Sequence, residues 1–105
     1  MIINPEKALR YLGGNTVILK KLYESFLYSY KDFTVRIITM DEEERRISYH
    51  SLKGIAPNLG VDSLEENLPT DDLNDFIDYF SRLYNEIEEY VKEMSLWEKH
   101  LRISF

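Results

Sequence analysis

His50 stands in the run Tyr49-His50-Ser51-Leu52-Lys53-Gly54-Ile55-Ala56-Pro57-Asn58-Leu59-Gly60. A free imidazole titrates at about 6.5, so at neutral pH it keeps a nitrogen lone pair available. That nitrogen is a nucleophile towards phosphorus. A phosphoryl group on it would carry nearly two negative charges, which the ammonium of Lys53, one helical turn on, is placed to offset. Gly54, without a Cβ, lowers the rim beside the imidazole and lets another protein approach closely. The second histidine, His100, follows Trp97-Glu98-Lys99 with no partner pattern. It reads as a surface residue near a helix C-terminus, where positive charge is favourable. With no cysteine there is no disulfide framework, thiolate zinc site or cysteine nucleophile. Two histidines far apart in the chain do not suggest a metal site, and no nucleophile elbow supports a Ser-His-Asp hydrolase.

The element that must position His50 is a helix. Asp41-Glu42-Glu43-Glu44 is a start signal, with Asp41 as cap, Glu44 able to reach back as in a capping box, and acids at the positive end of the dipole. Gly60 is the stop, so the helix spans Glu42 to Leu59. With His50 at zero on a wheel of 100° per residue, Arg45, Tyr49, Leu52, Ala56 and Leu59 fall between about 180° and 260°. That is the core stripe, with Arg45 at its outer end. His50 faces water with Arg46, Ile47, Lys53, Gly54 and Pro57 around it. A purely structural helix gains nothing from this choice, since Gly54 costs about 1 kcal/mol against Ala and Pro57 about 3 kcal/mol. A kink is expected one turn beyond His50, where Pro57 lacks the N–H for the Lys53 carbonyl.

Apolar residues recur at helical spacing through nearly the whole chain. Asn4-Pro5-Glu6 predicts a short helix from Pro5 to about Leu12, ended by Gly13-Gly14. Asn15 or Thr16 caps the next, whose stripe Leu19, Leu22, Phe26, Tyr30, Phe33, Ile37 predicts one long helix to about Met40. A short helical turn is expected around Asp62–Asn67, broken by Pro69. Thr70 then caps a last helix of about 30 residues, carrying Leu73, Phe76, Ile77, Phe80, Leu83, Ile87, Val91, Met94 and Leu101. Tyr23, Leu27 and Tyr28 do not all fit inside, and form either an apolar patch for a partner or a cover over the bundle ends. Glu42/Arg46 and Glu88/Lys92 are spaced as i,i+4 pairs. No segment shows strand alternation. The expected fold is all-α, an antiparallel up-down-up-down four-helix bundle with a short extra N-terminal helix, in one domain over residues 1–105.

The His50 run resembles the signature of histidine-containing phosphotransfer (HPt) domains, H-x-L-K-G followed by small residues and N-L-G. Leu9-Arg10-Tyr11-Leu12-Gly13-Gly14-Asn15 resembles the family's L-x-x-L-G-G-[DN] turn, and Leu22-Tyr23-Glu24-Ser25-Phe26 its L-x-x-x-F. The resemblance covers nearly the whole chain in order; Pro57 departs from it, where the family has a small residue. It implies a phosphorelay intermediate of a two-component system. His50 would accept a phosphoryl group from a receiver-domain aspartate or a kinase and pass it to another receiver. Lys53 would contact the phosphoryl group and Gly54 would permit docking. Arg46, Ile47 and Pro57 complete the expected docking face. The chain itself would hold no metal; Mg²⁺ is expected only on the partner receiver, which catalyses most of the transfer. The chain would thus be a phosphocarrier and not an enzyme. Two other roles are compatible: a phosphoacceptor module of a larger hybrid or chemotaxis-type kinase, or a scaffold that binds receivers without carrying phosphate. The start Met and capped first helix favour a free-standing protein.

Composition agrees with a soluble domain: 105 residues, 44% hydrophobic and 30% charged, are enough to bury a core without a staple. The longest uncharged run, Tyr11 to Leu19, falls short of a membrane span, and no signal segment is visible. Residues 1–60 carry nine Lys/Arg and seven Asp/Glu, whereas residues 61–99 carry three and twelve. No basic stripe for nucleic acid exists, and the acidic half reads as a solvated face. A cytoplasmic monomer is expected, with no nucleic-acid or membrane partner.

Overall fold

The computed structural model describes residues 1–61 and 72–103, the last four of these by backbone alone. Five helices occur among them and no strand: α1 (Pro5–Tyr11), α2 (Thr16–Ser29), α3 (Phe33–Ile38), α4 (Glu42–Leu59) and α5 (Leu73–Ile103).

Most ends form where local chemistry demands. Asn4 caps α1 by accepting the Lys7 N–H, and Pro5 occupies the first turn. Gly13 and Gly14 take positive φ, and Asn15 caps α2 by accepting the Ile18 N–H. Asp41 accepts the Glu44 N–H at 2.8 Å, but only this half of the expected capping box forms. Asp72 caps α5, accepting from Asn74 and Asp75. The expected turn at Asp62–Asn67, Pro69 and the Thr70 cap lie outside the described residues.

One expected helix is two. The chain from Thr16 does not run unbroken to Met40: α2 ends at Ser29, Asp32 turns into the left-handed region with φ 59°, and α3 restarts at Phe33. The apolar stripe survives the break, because Phe26, Phe33 and Ile37 all remain buried. Periodicity therefore registers the burial and passes over the interruption. Thr34, Val35, Ile37 and Ile38 weaken the helix beyond it. Arginines satisfy carbonyls freed at the ends. Arg36 donates to Ser29 O and Lys31 O, and Arg45 donates to Ile37 O and Ile38 O.

Packing fixes the directions. Going up α2, Lys20 meets Glu98, Tyr23 meets Tyr90, Phe26 meets Tyr84 and Tyr30 meets Phe80, so α2 and α5 are antiparallel. The Tyr23 hydroxyl donates to Leu59 O at 2.9 Å, at the far end of α4. Tyr49, further back along α4, packs on Phe76 at the start of α5. Thus α4 runs with α5 and against α2. The core holds Leu19, Tyr23, Phe26, Ile37, Leu52, Ala56, Phe76, Phe80, Leu83 and Ile87, among others, and no polar residue is buried among the described residues. Each large apolar side chain so buried contributes about 1.5–3 kcal/mol. Tyr23 is therefore a core residue and not part of a surface patch; Leu27 is half-buried, and Tyr28 alone of the three is open, at 87%.

The first residues lock the C-terminal end of α4. Ile2 and Ile3 donate their N–H groups to Glu86 Oε1, and Asn4 donates to Gly60 O at 2.8 Å. Gly60 has φ 77°, and a Cβ there would run into the Asn4 carbonyl. No helix among the described residues is long and apolar enough to cross a membrane.

Candidate functional site

Helix α4 keeps the expected bounds, Glu42–Leu59, and stays helical through Pro57. Leu52, Ala56 and Leu59 are buried, Tyr49 is half-buried, and His50 is exposed on the opposite side. The wheel therefore places the imidazole in water at the middle of a helix anchored from beneath.

The surface around His50 has two unlike flanks. At 100° per residue, Arg46 and Lys53 fall about 40° and 60° to one side, and Ile47 and Gly54 about 60° and 40° to the other. The first flank opens into a depression of about 560 Å³, lined by His50, Lys53, Arg46, Arg45, Tyr49 and Glu42 of α4 and by Leu73 of α5. Among the described residues of this lining, three cations face one carboxylate, on a chain of net charge −6. The second flank is low and apolar. Ile47 is 53% exposed, and a Cβ added to Gly54 would meet nothing within 4 Å. Internal packing therefore places no demand for glycine at position 54. Pro57 is exposed on the same face. The expected docking residues Arg46, Ile47, Gly54 and Pro57 thus share one exposed surface around His50.

The cations are differently committed. Arg45 is spent on the α3 carbonyls. Arg46 forms an exposed pair with Glu43, Nε to Oε2 at 3.1 Å and Nη2 to Oε1 at 2.5 Å. The expected Glu42/Arg46 pair is replaced by this one, three residues apart instead of four. Glu88 does meet Lys92, at 4.0 Å, and Glu89 shares it at 3.7 Å. The Arg46 guanidinium holds the Glu43 carboxyl below its usual range. Lys53 is half-buried and has no hydrogen-bond or ion-pair partner among the described residues; nor does His50. An imidazole and an ammonium on one rim, neither bonded among the described residues, are suited to receive an anionic group.

Sequence reasoning missed Glu42, Tyr49, Arg45 and Leu73 as walls. Tyr49 and Arg45 were assigned to the core stripe, and their half-exposure at its edge is the signal that could have placed them. Partial burial raises the Tyr49 phenol above its usual value, with Arg45 opposing. Leu73 comes from another helix, and nothing in the α4 pattern points to it. The side chain of His100 lies outside the described residues. Among the described residues no three His, Asp or Glu side chains converge as a metal site. Compared with known proteins, the chain matches no family model, no curated protein and no solved structure.

Proposed function

We propose that this chain is a phosphocarrier of the histidine-containing phosphotransfer type, acting as a cytoplasmic monomer between receiver domains. The observation that carries the reading is His50 itself, exposed in mid-helix and sharing a depression with Lys53 inside H-S-L-K-G, neither side chain having a partner among the described residues. The core shared by α2, α4 and α5, with α1 as a short N-terminal helix, supplies the all-helical frame that the reading needs.

In the transfer, the lone pair of the distal imidazole nitrogen attacks the phosphorus of an aspartyl phosphate on the partner. The new P–N bond forms as the P–O bond of the mixed anhydride breaks. The partner's carboxylate leaves with the electron pair, and the Nδ1 proton passes to solvent. Lys53 offsets the added charge on this side, and the partner's Mg²⁺ does so on the other. The return transfer to a second receiver reverses these steps. His50→Gln, incubated with a phosphorylated receiver, should fold as the parent does and take up no acid-labile, base-stable phosphate. Label that persists in that variant, or that maps to His100, refutes the reading.

A further inference from the structure

The cationic flank contains more than Lys53. Side chains on an α-helix lean towards its N-terminus, so each covers the surface of the turn before it. A phosphoryl group on Nε2 of His50 would therefore overlie the turn that carries Arg46, about 6 Å back along the axis. Lys53 leans towards the same place from about 4.5 Å further on. Arg46 and Lys53 lie on the same side of His50; the Arg46 side chain leans back to Glu43 at rest, and swung forward it would bracket the group with Lys53 from below and above.

Arg46 is occupied in the resting chain. Its guanidinium is held by both oxygens of Glu43, and the two side chains are 69% and 65% exposed. An exposed pair of this kind is screened by water and holds only weakly. A phosphoryl group, with close to two charges and three acceptor oxygens, competes well for a guanidinium fork.

We propose that Arg46 is a second phosphate-contacting cation, released from Glu43 as His50 becomes phosphorylated, and that Glu43 acts as a latch that restrains uptake. This rests on the phosphocarrier reading of His50. It assigns Arg46 a role towards the phosphoryl group that docking alone would not require.

A small phosphoryl donor separates the two roles, since it has no docking face. Phosphoramidate supplies one: its P–N bond breaks, the new P–N bond to Nε2 forms, and ammonia leaves with the Nδ1 proton. Uptake by the full chain is followed by ³¹P NMR, with folding checked by circular dichroism. Arg46→Gln should slow uptake by about two- to fivefold, and Glu43→Gln should speed it by a similar factor. In the Arg46→Gln background, Glu43→Gln should have no further effect. Glu44→Gln, which removes the same charge from the other side of α4, should leave the rate unchanged. An unchanged rate in Arg46→Gln overturns the inference, as does equal acceleration by Glu43→Gln with and without Arg46. If the wild-type chain takes up no phosphate on His50 from either phosphoramidate or a phosphorylated receiver, the phosphocarrier reading itself falls, and the inference with it.

Discussion

Lys53 shows how one side chain can be judged at the scale of a residue. Pro57 deprives its carbonyl of the usual helical N–H, and the expected kink would have been able to turn its ammonium from His50. Yet Lys53 lines the same depression as His50, and no carboxylate among the described residues claims it. A charge-assisted contact to a phosphoryl group is worth about 1.5–3 kcal/mol, and partial exposure puts this one at the low end. Lys53→Ala should therefore slow phosphoryl uptake by about tenfold while leaving the unfolding midpoint in urea unchanged. Equal rates of uptake for variant and parent would remove Lys53 from the site. The exposed place of His50 in mid-helix was legible in the sequence because it needs only a type and a face. The state of each cation was not. Arg45 is bonded to α3, Arg46 to Glu43, and Lys53 to neither, and these differences depend on neighbours that a helical wheel does not contain.

At the scale of elements, caps were readable and breaks were not. Asn4, Asn15, Asp41 and Gly60 act where they stand in the sequence, because a cap is satisfied by residues within one turn of it. The division of α2 from α3 at Asp32 was hidden, since Phe33 and Ile37 keep the core spacing across it. The joint that holds α4 in place is also long-range: the Tyr23 hydroxyl donates to Leu59 O, 36 residues away. Tyr23→Phe leaves that buried carbonyl without its partner and should cost about 1–3 kcal/mol in urea unfolding at pH 7. The same residue ties stability to alkaline pH. Burial pushes the Tyr23 phenol far above its usual value, and Tyr90 adds in the same direction. A group whose folded pKa is raised contributes fully below its unfolded value of about 10, and the contribution is lost as pH climbs from there towards the folded value. Stability of the parent should therefore fall beyond about pH 10, and Tyr23→Phe should fall less steeply, although Tyr30, Tyr49, Tyr84 and Tyr90 are shifted the same way and keep part of the slope. Identical slopes would mean that Tyr23 is not the coupled group.

For the whole molecule, the exposed face of α4 stands apart from the elements that hold the chain together. The core joins α2, α4 and α5 on the inner side of α4, and the N-terminal residues clamp its C-terminal end, so among the described residues the core packing falls on the inner side. Gly54 is the point where that separation can be tested. It is exposed, with open space where a Cβ would be. Replacing it with Glu improves helix propensity by several tenths of a kcal/mol, about 0.5, so stability should not fall. On the proposed phosphocarrier reading, a receiver must bring its aspartate within in-line distance of the His50 nitrogen, and a Glu side chain 40° round the helix and one turn on would stand in its path. Its charge would also oppose the acidic pocket of the partner. Gly54→Glu should accordingly still take up phosphate from phosphoramidate, slowed no more than a few-fold by its charge, and be at least as heat-stable, yet neither bind a receiver nor exchange phosphate with one. The measurements are calorimetric titration with the receiver and transfer of labelled phosphate from it. Parental affinity in this variant would move the docking face away from the Ile47–Gly54 flank. The exposed Tyr28 on α2 would then be the next residue to substitute, since Tyr23 is buried in the core and Leu27 is half-buried against it.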